Sequence, residues 1–241
     1  MNIKIQMYVV SCVFTREEPD LSVKIQNYIR SRYNMPMMRC CVAGYKDKEF
    51  TQSMPEHLRT GWQAIPQYIE FPADSTMVYV CHNCTAIFHE TKPDIKTLSL
   101  WGLIADDKNF KFPDYSGEKI AVQDCWRSHD NRVEQEAVRL LLKKMNIEAI
   151  ELEENFEKTQ FCGISTLMPA PKRNLQLAPK RFVENAKEKF LPHTEKQQKE
   201  LMTAHCKKIT TEKTAAYCHY CVKGLKLGGK NAVHLGALLF N

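Results

Sequence analysis

Nine of the chain's ten cysteines fall in one order that is run twice. In the first half Cys12 is followed after 27 residues by the adjacent pair Cys40 and Cys41, and after 39 more by the CxxC of Cys81 and Cys84. The second half has Cys125, then Cys162 and Gly163 after 36 residues, then the CxxC of Cys218 and Cys221 after a further 55. Cys206 stands outside the scheme. A doubled order constrains the fold more than composition does, because each half must be a unit that brings the same three groups of thiols to comparable places.

The segments around the cysteines suggest what those units are. Ile3 to Val10 is a β-branched and aromatic run entering Cys12, Met77 to Val80 a second one entering Cys81, and Lys119 to Gln123 a third entering Cys125. Ala149 to Leu152 reads as another strand, and Ala215 to Tyr217 as a short one before Cys218. Helices are expected between them. Asp20 to Tyr33 carries Leu21, Ile25, Tyr28 and Ile29 on one face behind an Asp20 cap, and a short helix follows Cys84 until Pro93. Val133 to Met145 follows a cap at Asp130 or Asn131 and carries the stripe Val133, Ala137, Leu141 and Met145. Strands alternating with helices predict an α/β fold of two tandem pseudo-repeat units, each a small, mainly parallel sheet flanked by helices. The seam is expected in the polar stretch from Asp106 to Glu118, giving units 1–112 and 113–241. Parallel strands deliver their carboxyl ends to one edge of a sheet, so cysteines placed there converge in space.

Composition narrows the chemistry. With 44% hydrophobic and 26% charged residues the 241-residue chain is an ordinary globular one, and no run reaches the roughly 18 apolar residues of a membrane helix. The opening from Met7 to Phe14 is too short for a secretion signal, so the expected location is cytoplasmic. In a reducing compartment ten thiols are poor candidates for disulfides, which leaves metal ligation or redox chemistry. The net charge of +6 arises in one place, since residues 171–213 hold 11 Lys or Arg and 5 Asp or Glu. That stretch, 172–213 in its lysine-rich part, reads as a helical insertion with a solvated face, including a helix from Glu195 to Lys208. Phe182 and Phe190 are its only aromatics, which argues against nucleic acid as a partner.

The residues Arg39-Cys40-Cys41, Val80-Cys81-His82-Asn83-Cys84, Gln123-Asp124-Cys125, Phe161-Cys162-Gly163 and Tyr217-Cys218-His219-Tyr220-Cys221, with the tail from Val233 to Leu239, resemble the cysteine-rich CCG-domain proteins. The B subunit of heterodisulfide reductase is the best-known member of that family. The resemblance spans nearly the whole chain as two repeats. It implies a non-cubane [4Fe-4S] cluster held by Cys12, Cys40, Cys41, Cys81 and Cys84, five thiols being one more than a tetrahedral zinc takes. The second repeat departs from the pattern, with Phe161 in place of a cysteine and about 20 extra residues before the CxxC. There Cys125, Cys162, Cys218 and Cys221 are expected to hold a [4Fe-4S] cubane, zinc or nothing, with Cys206 a weak fifth candidate. Val42 replaces the glycine expected after the first pair.

The function the resemblance implies is an iron-sulfur oxidoreductase that reduces or oxidises a thiol or disulfide substrate in one-electron steps, or relays electrons to a partner subunit. With no C-x2-C-x2-C run and no dinucleotide fingerprint in the chain, the electron donor or acceptor is expected to be another protein. Two other readings stand beside it: a structural zinc or cluster subunit without catalysis, and a dithiol reductase using Cys81 and Cys84 alone. Asp124 and Arg127 flank Cys125, either tuning it by charge or forming a solvated ion pair. His82, His89, His129, His219 and His234 lie near cysteines and are more readily hydrogen-bonded residues than ligands. Trp62, Trp101 and Trp126 read as core or site-wall residues. Gly224 to Asn231 mimics a phosphate loop, yet Asn231 stands where the hydroxyl residue should be and no strand is expected before it, so its glycines read as a turn into a final helix.

Overall fold

The computed structural model describes residues 6–241. Two compact α/β units result, Met1–Leu103 with Phe240, and Ile104–Leu239 with Asn241. The expected seam at 106–118 lies just beyond this division. Residues 3–5 of the first expected strand lie outside the described residues.

The first unit runs β1 (Gln6–Val9), α1 (Cys12–Glu17), α2 (Pro19–Tyr33), β2 (Met37–Met38), α3 (Asp47–Ser53), α4 (Glu56–Ala64), β3 (Thr76–Tyr79), α5 (His82–Thr91) and β4 (Lys96–Ser99). Helix α6 (Leu100–Asp106) carries the chain into the second unit: β5 (Lys119–Gln123), α7 (Arg132–Lys144), β6 (Glu148–Glu151), α8 (Lys172–Leu177), α9 (Glu195–Cys206), β7 (Lys213–Ala216), α10 (His219–Leu227), β8 (Asn231–His234) and α11 (Leu235–Leu239). All strand pairs are parallel, in the orders β2-β1-β3-β4 and β6-β5-β7-β8. The two sheets share one topology. Its order reverses between the first and third strands of each unit, and such a switch point leaves a crevice outside the strand ends.

Register puts the cysteines at that crevice. Val9 pairs with Tyr79 at the end of β1 and β3, and Cys12 and Cys81 follow three and two residues later. Gln123 pairs with Ala216 at the end of β5 and β7, and Cys125 and Cys218 each follow two residues later. Both CxxC motifs open a helix, with Cys81 and Cys218 as the N-caps of α5 and α10. The flanking strands are buried on both faces, as two-sided helical cover requires: Tyr8, Val9, Met77 and Val78 in one sheet, Ile120, Ala121 and Val122 in the other.

Several expectations need correction. Helix α2 begins at Pro19 behind Glu18, so Asp20 sits in its first turn rather than at its cap. Asn131 does cap α7, accepting from Glu134 N, but Val133 is 76% exposed and Ala137 only half-buried. The buried face runs through Val138, Leu141, Leu142 and Met145, because the helix turns its polar Glu134 and Gln135 inward with it. The segment after Cys12 is helical at once, and β2, α3, α4 and β4 have no counterpart in the sequence reading. Helix α9 stops at Cys206, its start fixed by a Thr194 and Gln197 capping box. In the phosphate-loop mimic, Gly228 caps α10, Gly229 takes φ +88°, and strand β8, not the final helix, follows. Order there is helix, turn, strand, the reverse of a phosphate loop.

Among the described residues no helix is long and apolar enough to cross a membrane.

Candidate metal centre

All ten cysteines are buried and none is joined in a disulfide. In the second unit Cys125 follows β5, Cys162 closes the loop after β6, and Cys218 and Cys221 occupy the cap and first turn of α10. Their four sulfurs lie within 4.8 Å of one another, the one such His, Cys, Asp or Glu group among the described residues. Cys125 and Cys162 approach to 3.4 Å between sulfurs. Four mutually adjacent, buried sulfurs are a donor set for zinc or an iron-sulfur cluster, both of which take thiolate. Burial first, then the crowding of neighbouring thiols, pushes Cys125 and Cys221 well above the ordinary thiol range. Without metal these groups are protonated, and binding must displace the protons.

Backbone geometry makes the convergence possible. Gly163 has φ +53°, and a Cβ there would fall on the carbonyl oxygen of Tyr220, inside α10. Gly224 meets it from the other side, since a Cβ on Gly224 would crowd Gly163 Cα at 2.5 Å. Only a glycine pair lets the Cys162 loop lie directly against the CxxC helix.

The residues beside Cys125 part company. Arg127 is buried and donates from Nη1 to Cys162 Sγ and from Nη2 to Ser165 Oγ. Asp124 does not pair with it. Its carboxylate is fully buried and held bidentately by Arg139 at 2.6 and 2.9 Å, with further donors from Tyr217 Oη and Phe156 N. Arg139 also reaches Glu151. This network fastens β5, α7, the loop after β6 and Tyr217 behind the cysteines, so the solvated ion pair anticipated for Asp124 and Arg127 is replaced by two separate buried arrangements.

Phe161, directly before Cys162, stacks on His205 with ring centroids 4.0 Å apart. His205 Nε2 meets Gln123 Oε1 at 2.6 Å. Burial, then Lys208, pushes His205 below its ordinary range. Cys206 lies outside the four-sulfur group and points to Leu225 O at 3.5 Å, so it is no fifth ligand. The near-cysteine histidines are not in the group either: His89 Nε2 meets Thr97 Oγ1, His129 stacks on Trp126, and His234 Nδ1 accepts from Gly236 N. Trp126 is part of the apolar wall that holds all four sulfurs, as expected. Trp62 packs under the Arg39 guanidinium, and Trp101 is fully buried.

In the first unit, too, buried thiols meet one another. Cys12 and Cys40 approach to 3.6 Å between sulfurs, while Cys84 is in hydrogen-bond contact with Cys41 and Cys81. Cys40 and Cys41 are adjacent in the chain, so the two sets of contacts are joined through one peptide. Cys84 is pushed well above the ordinary thiol range by Cys41, Cys81 and burial. That direction is the opposite of a thioredoxin-like dithiol, which needs a lowered pKa and exposure. The sequence reading missed Tyr8, on β1: its buried hydroxyl has no hydrogen-bond partner, and burial, then Cys84 and Cys81, hold its proton on. A tyrosine four residues before Cys12 on a predicted strand was the available signal. It also missed the inward role of Phe182 and Phe190, whose isolation among lysines was the clue.

No protein-family model matches the chain, and no curated protein matches it. Among solved structures the chain is similar to glutamate racemase isoform RacE1 of Bacillus anthracis, at 11% identity and a TM-score of 0.32 over 100% of this chain and 80% of that one. It is likewise similar to PH1733, an aspartate racemase homologue of Pyrococcus horikoshii OT3, at 10% identity and a TM-score of 0.32 over 98% and 95%. At such values neither likeness bears on what the cysteines do.

Proposed function

We propose that this chain is a metal-thiolate redox protein with one centre in each unit, of the kind the CCG-domain resemblance implies. The observation that carries the reading is the placement of two thiol groups at the same switch point of two sheets of identical topology, one of them a closed set of four buried sulfurs within 4.8 Å. The donor chemistry fits: soft, converging sulfurs, and in the second unit a buried cation against them. Cys12, Cys40, Cys41, Cys81 and Cys84 would hold a non-cubane [4Fe-4S] cluster, and Cys125, Cys162, Cys218 and Cys221 a cubane cluster or zinc. A bound iron-sulfur cluster supplies one-electron transfer. The chain's own residues position the thiolates on strand ends, exclude water with Trp126, Phe182 and Phe190, and hold Cys162 through Arg127. The reaction assigned is reduction of a disulfide, RSSR plus two electrons and two protons giving two RSH, or its reverse, with the electrons exchanged with a partner protein.

A second reading concerns the second unit alone. Four sulfurs with no open position suit a closed structural zinc, and the count of four there favours it. Iron, zinc and acid-labile sulfide analysis with electron paramagnetic resonance, on anaerobically purified protein and on Cys41→Ala, tests both. The redox reading expects iron and sulfide, with the first-centre signal lost in Cys41→Ala. Zinc without sulfide, or Cys41→Ala with full iron and sulfide content, would overturn it.

A further inference from the structure

Arg127 has an environment that a tuning role explains and a packing role does not. It sits on a 3-10 turn, Trp126–Ser128, two residues after Cys125, and is only 5% exposed. No carboxylate among the described residues pairs with it. Its guanidinium carbon lies 5.6 Å from the ring centroids of Phe182 and of Phe190, and 5.3 Å from that of Tyr220. Its side-chain hydrogen bonds go to Cys162 Sγ and Ser165 Oγ. Three aromatic faces, a hydroxyl and a sulfur enclose a permanent charge.

A guanidinium buried in such a place is strongly unfavourable without an anion, and four neutral thiols offer none. Four thiolates around a divalent ion, or around an oxidised cubane core of charge +2, leave a net charge of −2. Either occupant would supply the missing negative charge, and among the described residues no carboxylate pairs with Arg127. We infer that Arg127 is the built-in counter-ion and sulfur hydrogen-bond donor of the second centre, a positioning residue that sets the donor strength of Cys162 and reduces the net negative charge of the whole centre by one. Phe182 and Phe190, from the lysine-rich insertion, keep water from screening it. The insertion's inward role is therefore to seal this pair, while its lysines face solvent. A hydrogen bond and a positive charge at a ligating sulfur both withdraw electron density, so with iron bound they raise the reduction potential.

The inference rests on the metal-centre reading, and the experiment separates the two. The full-length chain is titrated anaerobically with Co²⁺ and then Zn²⁺, as wild type, Arg127→Met and Arg127→Lys, following the thiolate-to-cobalt charge-transfer band and competing with a chromophoric chelator. Difference spectra between variants cancel the first unit's contribution. Loss of a partner at a ligating side chain typically lowers metal affinity about 10- to 100-fold. Arg127→Met is expected to show that loss, with a charge-transfer band at lower energy because Cys162 is no longer stabilised by a donor. Arg127→Lys should recover part of the affinity through its charge but not the band position, since an ammonium cannot fork between Cys162 and Ser165. If Arg127→Met is insoluble, the band position of Arg127→Lys carries the test. Unchanged affinity and band in the variants, with wild type binding metal, would overturn the Arg127 role alone. Wild type that binds neither ion would overturn the metal-centre reading as well.

Discussion

The two units set their thiols at the same point of the same four-stranded sheet, yet they finish the site differently. The first carries five thiols, puts Phe14 where Arg127 stands two residues after the leading cysteine, and carries Val42 after its cysteine pair. Its nearest sequence-adjacent cation, Arg39, is already paired with Asp47 at 2.9 Å and laid over Trp62. The second gathers four sulfurs, backs them with an arginine that has no carboxylate, and closes the loop with Gly163. One unit carries the larger number of thiols, the other adds a buried charge and a tighter closure. A fifth thiolate adds negative charge and a coordination option, whereas an arginine removes charge and fixes geometry, so the two sites are expected to differ in potential and in exchange of their ions.

The largest break in this comparison should come from Gly163→Ala. Left-handed backbone and a direct clash with the Tyr220 carbonyl together cost about 3–5 kcal/mol, and metal content should fall by the second centre's share. Gly44→Ala, in the loop after the first pair, has φ +68° but nothing within 4 Å of the added Cβ, so about 1 kcal/mol of strain and full metal content are expected. Thermal unfolding and metal analysis of the two variants read the contrast, and equal losses would deny that close approach distinguishes the loops.

Next in size is Asp124→Asn. Weakening a buried bidentate partner of Arg139 should cost about 3 kcal/mol, read as a lowered denaturant midpoint. The position matching Asp124 in the first unit is Ser11, whose hydroxyl accepts from Phe14 N at 3.4 Å, and Ser11→Ala should cost about 1 kcal/mol.

Acid sharpens the comparison further. Cys84, Cys125 and Cys221 have raised pKa values, so in the empty protein they hold their protons through neutral pH. Metal must displace those protons, so affinity rises with pH and falls as pH drops, about tenfold per pH unit for each proton displaced. Chelator competition at several pH values should show the second centre, with Arg127 favouring thiolate, releasing Zn²⁺ at lower pH than the first. The opposite order would remove the electrostatic distinction. The smallest effect is Tyr8→Phe, which deletes a buried hydroxyl without a partner and should shift metal-free stability by less than about 1 kcal/mol. A larger loss in chemical denaturation would mean that the hydroxyl is engaged.

Much of the sheet was legible because its strands are short β-branched runs that end in cysteine: β5 matches Lys119 to Gln123 residue for residue, and β7 contains Ala215 and Ala216 of the expected Ala215 to Tyr217. Strands β2 and β8 were not, since Met37–Met38 is two residues long and Asn231–His234 lies behind a glycine turn. The tilt of α7 escaped periodicity because its inward face includes Glu134 and Gln135, engaged with Asn131 and Ser128. Within the site, the identity of the four grouped thiols could be read from spacing. The separation of Asp124 from Arg127 could not, because Asp124 directly follows β5 while Arg127 lies on the 3-10 turn after Cys125, and their partners come from 15 and 35 residues away.

From its residues alone, then, this chain declared a doubled α/β unit and the thiols each copy brings to the strand ends, because strand pattern and cysteine spacing are local properties. Which sulfurs close into one tight group, and which cation faces them, was settled by tertiary packing. Distance between side chains depends on glycine-permitted backbone contact and on where buried charges find counter-charges, and neither is written in the order of residues.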